Sequence, residues 1–210
     1  MQSNSQDNNR KIQIRKAGRN DFGTLINVLV RAYDQDPHVN WLVPKDEKRS
    51  QRIAKFFEVL VNHYGMKYDH VFTTEELSGI AGWCPPEPRD SWKSSLLEDL
   101  ILLPKWMLVC GIRGIPSGMA AAKLIEKHHL KRPHYYLAPL GVDPVHQGRG
   151  IGSHLVQHGL RMCNEKGVPA YLETGKEENI RFYMKHGFKV IDEFFFPRGP
   201  KMWTMIYEPK

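Results

Sequence analysis

The segment Gln147-Gly148-Arg149-Gly150-Ile151-Gly152 brings three glycines to the start of an amphipathic stretch, a pattern suited to holding an anion. Glycines let a ligand oxygen come close to backbone N–H groups. A helix beginning there adds amides without acceptors and the positive end of its dipole, and together these make a phosphate site. The competing reading is a tight turn that needs glycine only for packing. A Walker-type loop ends in Gly-Lys-Ser/Thr, and Gly152-Ser153-His154 fails that test. The dinucleotide fingerprint Gly-x-Gly-x-x-Gly fails from Gly148 and from Gly150 alike. Glu173 stands about 20 residues on, as a ribose-binding acid would, but only about 60 residues follow the loop, too few for a doubly wound sheet.

The elements that must position this loop are legible in part. Ile12 to Ile14 alternates with charged residues and reads as a short strand. Asn20 and Asp21 are placed to cap a helix through Leu25, Leu29 and Tyr33, which Asp36-Pro37 ends. A second helix is expected from about Lys48 to Tyr64, stopped by Gly65. His70 to Thr73 and Ser78 to Trp83 read as strands joined at Glu75-Glu76. Three prolines make Cys84 to Arg89 a loop. Ser91 to Leu130 reads as helical pieces broken at Pro104, at Gly111 to Gly114 and at Pro116 to Gly118, a helical insertion over about 90–130.

Tyr135 to Val142 is a strand made irregular by Pro139. It leads through the glycine loop into a helix to about Lys166. At about 100° per residue, Ile151, Leu155, Val156, Leu160, Met162 and Cys163 cover one half of that helix, so it lies flat on a sheet. A strand Ala170 to Thr174, a short helix Glu178 to His186 and a final hairpin (Phe188 to Phe196, Lys201 to Tyr207) complete a single α/β domain over 12–210, preceded by a polar tail, 1–11.

Composition narrows the function classes. The chain has 210 residues with 41% hydrophobic and 25% charged, ordinary for one globular domain. No uninterrupted apolar run approaches the about 20 residues needed to span a bilayer, so no membrane partner is expected. The polar start has no apolar core and does not read as a secretory signal. Cys84, Cys110 and Cys163 are odd in number and widely spaced, which argues against a disulfide framework or a zinc site and for a reducing cytoplasm. The net charge of +7 is scattered rather than blocked. It fits an anionic small ligand better than nucleic acid.

Gln147-x-x-Gly150-x-Gly152 after Leu140-Gly141-Val142 resembles motif A of the GCN5-related N-acetyltransferase (GNAT) family. The resemblance runs from about Tyr135 to Phe188 and includes Asn179, Tyr183 and Gly187-Phe188. Within the family, Val168 to Thr174 and Phe196-Pro197-x-Gly199-Pro200 look like puromycin N-acetyltransferase and its relatives.

The resemblance implies a central mixed, mostly antiparallel, splayed sheet flanked by helices, and acetyl-CoA as cofactor with coenzyme A as product. Backbone amides of Gln147, Gly148, Arg149, Gly150, Ile151, Gly152 and Ser153 would hold the pyrophosphate, with Arg149 adding a cation. Leu140, Gly141 and Val142 would offer strand-edge groups to the pantetheine arm, an N–H near Leu140 would polarise the thioester carbonyl, and Asn179 would touch the arm. Tyr183, one turn after Asn179, would be the acid that protonates the leaving thiolate. Glu173 would be the base, its pKa raised beside an apolar slot, with His134 or a water as rivals. His38, His63, His128 and His129 read as surface or packing residues. No metal is required, and no cysteine has a paired histidine for a covalent route. The expected acceptor is the primary amine of a small molecule, attacking directly in a ternary complex. Asp34, Asp36, Glu75 and Glu76 are candidates to attract it. A peptide amine, or acyl-CoA binding without catalysis, is the alternative. The oligomeric state is left open, a homodimer included.

Overall fold

The computed structural model describes residues 12–86 and 96–210. The expected tail and part of the proline-rich loop lie outside them. Seven strands form one sheet: β1 (Ile14–Lys16), β2 (Val71–Thr74), β3 (Gly79–Cys84), β4 (Tyr135–Val142), β5 (Ala170–Thr174), β6 (Lys189–Phe195) and β7 (Lys201–Tyr207). Their order is β1-β2-β3-β4-β5-β7-β6. Every neighbouring pair is antiparallel except β4 and β5, which run parallel. The mixed, mostly antiparallel α/β sheet expected from the sequence is the observed one.

Alternation along β3 shows how the two faces are filled. Ile80 packs with α1 (Phe22–Tyr33) and α3 (Arg49–Tyr64) in a cluster that includes Leu25, Leu29, Ile53 and Phe57. Ala81 and Trp83 belong to a second cluster with Leu137, Leu155, Leu160, Leu172 and Met205. Successive side chains of a strand point to opposite faces, so one strand serves both cores. The second core is covered by α5 (Ile151–Lys166). Of its expected apolar half, all but Met162 are buried. Gly159 lies over the Trp83 indole, and a Cβ there would come within 2.0 Å of it. The last helix, α6 (Glu177–Lys185), packs on β5 and β6.

Three local readings are corrected. Asp36-Pro37 starts a helix: α2 (Pro37–Leu42) has Pro37 in its first turn, and the Asp36 carboxylate accepts from the amides of His38 (2.9 Å) and Val39 (3.1 Å). Asp21 makes no capping bond to α1. Its carboxylate is taken by Arg15 and the Gly18 amide.

The third is corrected in part: α4 (Leu96–His128) is two helical stretches that meet at a kink at Gly111 (φ 66°, ψ 167°), inside the break expected at Gly111 to Gly114, whereas the breaks expected at Pro104 and at Pro116 to Gly118 are not found. Pro104 and Pro116 sit inside it. Each forfeits a bond to residue i−4, and packing against α2 and α3 carries the helix past them. Its Leu102–His128 stretch is by length and composition long enough to cross a bilayer, which reading it in pieces did not anticipate. Val109, Cys110 and Ala121 of this stretch are buried, whereas Leu103, Met107, Leu108, Ile112 and Met119 are exposed.

Gly159→Ala should lower stability by roughly 1–3 kcal/mol or more, because fully buried Trp83 has nowhere to go. Gly23→Ala on α1, with nothing within 4 Å of the added methyl, should be neutral or stabilising by up to about 1 kcal/mol. Urea unfolding of both variants measures the contrast.

Candidate active site

β4 and β5 pair at only two positions, Tyr135 with Ala170 and Tyr136 with Tyr171. Beyond Tyr136 the two strands part. On its other side β4 stays paired with β3, with a register shift between Ala81 and Trp83. The shift lies opposite Pro139, where no N–H is available to the ladder. The parting opens a cleft of about 840 Å³ between β4, the starts of α2 and α5, and α6. Of the residues proposed from the sequence, Leu140, Gly141, Val142, Gln147, Gly148, Gly150, Ile151, Gly152, Ser153, Asn179 and Tyr183 line it. Arg149 and Glu173 do not.

One end of the cleft is built for an anion. Gly150 is the residue before α5 and has φ 83°; Gly148 has φ 76°. Both lie in the left-handed region that a side chain disfavours. No side chain caps α5, and its first turn contains no acid. The amides of Ile151, Gly152 and Ser153 therefore face outward without intrahelical acceptors, at the positive end of a helix of 16 residues. The Gln147 side chain ties the loop back to the Val142 carbonyl (3.1 Å), and His186 Nε2 meets Ser153 Oγ (3.1 Å).

The other end carries phenols and a carboxylate. Tyr183 is buried on α6, and Asn179, one turn earlier, donates from Nδ2 to Thr174 Oγ1 (3.2 Å). Tyr33 of α1 donates to the Leu140 carbonyl (2.8 Å). Burial first, and then the Asp36 carboxylate, pushes the Tyr183 phenol up. Burial first, then Tyr183 and Asp36, raises Tyr33. Both are neutral O–H donors at neutral pH. Asp36, held by its capping bonds, also lines the cleft. Of the other acids expected to attract an amine, Asp34 pairs with Arg49 and Glu75 with Arg15.

Glu173 lies off the cleft, its side chain 5% exposed. Its Oε1 is 3.1 Å from His129 Nδ1, and its Oε2 accepts from the Tyr136 hydroxyl at 2.5 Å. Burial alone would raise its pKa. The bonds to His129, Tyr136 and Tyr171 and the His129 charge outweigh burial and hold it below the usual carboxylate range, opposite to the direction expected from the sequence. His134 has both ring nitrogens engaged inside the protein: Nδ1 is 2.7 Å from the Arg132 carbonyl and Nε2 is 3.0 Å from His129 Nε2. Burial pushes it down to about 4.

His129, read from the sequence as a surface or packing residue, is 2% exposed and lies at the centre of this group. His128 pairs with Asp192 (2.6 Å). His38, also set aside, stacks on Phe196 (4.9 Å), which in turn stacks on Trp41 (4.9 Å). Its Nε2 is buried without a hydrogen-bond partner, and burial lowers its pKa against the opposing pull of the Asp36 and Glu173 carboxylates. Cys84, Cys110 and Cys163 are buried and form no disulfide among the described residues, and burial pushes the Cys163 thiol up to about 12. Sequence reasoning missed Tyr33, the role of Asp36 as a cap and His129. The sole local signal was two histidines at the end of an apolar helix, five residues before His134.

Comparison with known proteins places this geometry. Over 208 residues the chain is 24% identical to an N-acetyltransferase of Schizosaccharomyces pombe, covering 90% of this chain and 81% of the relative. A probable serine/threonine-protein kinase of Dictyostelium discoideum is 31% identical over 80 residues, 37% of this chain, and the match spans only 11% of that relative's length. Among solved structures, a histone acetyltransferase HPA2 and related acetyltransferase from Corynebacterium glutamicum superposes with a TM-score of 0.68 at 20% identity, covering 96% and 98% of the two chains. The polyamine N-acetyltransferase of Drosophila melanogaster, which forms N-acetylagmatine, gives 0.60 at 15% identity over 94% and 100%. Arylalkylamine N-acetyltransferase 2 of Aedes aegypti gives 0.61 at 12% over 96% and 100%. The acetyltransferase (GNAT) family profile matches residues 73–188, from within β2 to just past α6. On that match, which takes in more than half of its residues, the chain belongs to the GNAT family of acetyltransferases, whose acetyl donor is acetyl-CoA.

Proposed function

We propose that this acetyltransferase moves the acetyl group of acetyl-CoA to a primary amine of a small molecule, by direct attack while both are bound. The observation that carries this reading is the cleft itself, with an uncapped helix start at one end and Tyr183 with Asp36 at the other. Bound acetyl-CoA supplies the activated acetyl group. The residues present fit it. The amides from Gln147 to Ser153 would hold the pyrophosphate, and the β4 edge at Leu140, Gly141 and Val142, unpaired by β5, would take the pantetheine arm alongside Asn179. A β4 amide near Leu140 would stabilise charge on the carbonyl oxygen. The neutral Tyr183 hydroxyl would give its proton to the departing sulfur. Most of the gain would come from holding the reactants together.

Asp36 suits a cationic acceptor, and the His38–Phe196–Trp41 stack beside it suits an apolar or aromatic body. The named substrates of the fly and mosquito enzymes, polyamine and arylalkylamine, support a small amine. The sequence resemblance to puromycin N-acetyltransferases adds aminonucleosides to the candidates.

Thiol release from acetyl-CoA, followed across polyamines, arylalkylamines, aminonucleosides and peptides, tests the reading. Turnover with one small-amine class is expected, and Tyr183→Phe should lower kcat about 10²-fold or more while leaving the KM for acetyl-CoA within a few-fold. Peptide-only turnover would move the acceptor class. Tight acetyl-CoA binding with no release from the whole panel would favour a binding domain. Gly150→Val should do the reverse of Tyr183→Phe, raising the Kd for acetyl-CoA at least tenfold by calorimetry, because the valine cannot easily hold φ 83° at the start of α5.

A further inference from the structure

Two side-chain hydrogen bonds on the open side of β4 decide what that edge can hold. The β3–β4 register sets Gly79 opposite Val142, and one step on the Asp143 amide donates to the Ser78 carbonyl (2.9 Å). In an antiparallel pair the backbone groups of alternate residues turn toward the partner strand. Gly141 therefore directs its N–H and C=O to β3. Leu140 and Val142 direct theirs to the other side, where β5 has already parted. A bare edge would show donors and acceptors in turn. Here both carbonyls are engaged. The Leu140 carbonyl accepts from the Tyr33 hydroxyl (2.8 Å), and the Val142 carbonyl accepts from Gln147 Nε2 (3.1 Å). The Leu140 and Val142 amides remain, on two residues that line the cleft.

The local packing holds the Tyr33 contact in place. Gly141 has no side chain, and a Cβ there would come within 2.7 Å of Leu29 and 3.5 Å of the Tyr33 ring, so this glycine lets α1 lie close on β4. The Tyr33 ring packs on Phe57 of α3 (4.7 Å), which restricts where its hydroxyl points. Burial keeps that hydroxyl protonated. A phenol has one hydrogen to donate, and here it goes to Leu140.

We infer that Tyr33 and Gln147 are positioning residues that make the open edge of β4 a row of N–H donors, so that the edge takes ligand carbonyl oxygens and holds the thioester oxygen against the Leu140 amide, an inference that rests on the acetyl-CoA reading above. As the amine nitrogen attacks, the carbonyl π pair moves onto that oxygen, and it returns as the C–S bond breaks. A bare Leu140 carbonyl would set its negative end beside the growing charge. The Tyr33 hydrogen offsets that repulsion, and Tyr33 keeps its proton throughout. The Val142 amide, one donor further toward the glycine loop, is left for a carbonyl of the pantetheine arm. Gln147 ties that loop to the same residue. Tyr33 thus acts on transition-state charge, and Gln147 acts on the grip on the arm.

Infrared spectra of bound acetyl-CoA carrying ¹³C at the acetyl carbonyl read the hold on that oxygen without turnover. In the wild type the band should fall below its position in water. Tyr33→Phe keeps the ring on Phe57. It should move the band back up, lower kcat about tenfold or more and leave the KM for acetyl-CoA within a few-fold. Its pH profile should keep the wild-type shape, because Tyr33 does not titrate in the reaction. Gln147→Leu should show the opposite split, with the KM for acetyl-CoA raised several-fold, kcat nearly kept and the band unmoved. Amide ¹H–¹⁵N spectra of the free variants should differ from the wild type only around Leu140 and Gly141, or around Val142 and Gln147. A band and a kcat both unmoved in Tyr33→Phe would overturn the proposal. So would equal losses of kcat and KM in both variants, with amide shifts spread through the sheet. If acetyl-CoA shows neither a lowered band nor thiol release with the wild type, the acetyltransferase reading falls too. Thiol release by the wild type, with a band that Tyr33→Phe does not move, would refute the role of Tyr33 alone.

Discussion

The parting of β4 from β5 after two residue pairs is the constraint on which the site depends. A parallel pair that continued would satisfy the backbone of β4 and close the cleft. Because it stops at Tyr136, the edge from Leu137 to Val142 is left without β5, and the same strand then delivers the chain through Asp143 into the glycine loop and α5. Strand edge and helix start are thus consecutive in the chain and adjacent in space. The divergence is held from both sides. Trp83, clustered with Leu155 and Leu160 of α5, fills one face, and α1 with α3 fills the other.

Two kinds of polar group result from this arrangement. The amides at the start of α5 have no acceptors and belong to the cleft. The carboxylate of Glu173, which does not line the cleft, is met by His129 and Tyr136. A buried carboxylate left alone would be costly; here each of its oxygens has a partner. Tyr33 and Tyr183 stand where the two regions approach, both kept protonated by burial. The placement puts neutral donors beside the strand edge.

Much of the fold was legible because its signals are local. The run from the glycine loop through α5, β5 and α6 was readable from helical periodicity and from glycine stops such as Gly167. The final hairpin was bounded by Pro197 to Pro200. Asp36 was misread because six residues of α2 are too few to show a period, so its capping role looked like a helix end. The proline breaks expected in α4 were overridden by packing, and only Gly111, which can take φ 66°, interrupts it. Within the site, the motif located the cleft lining, but the surroundings of Glu173 could not be read. Its partner His129 is 44 residues away in sequence, and their contact exists only once the chain just after α4 has reached β5.

In the proposed binding mode acetyl-CoA lies along β4 with its pyrophosphate on the start of α5. Amide ¹H–¹⁵N spectra recorded as acetyl-CoA is added test it most directly. The largest shifts are expected at Gly148 to Ser153 and at Leu140 to Val142, with the amides of β1 and β2 unmoved. Shifts centred elsewhere, on α3 or the β1 edge for example, or no shifts at saturating acetyl-CoA, would contradict it.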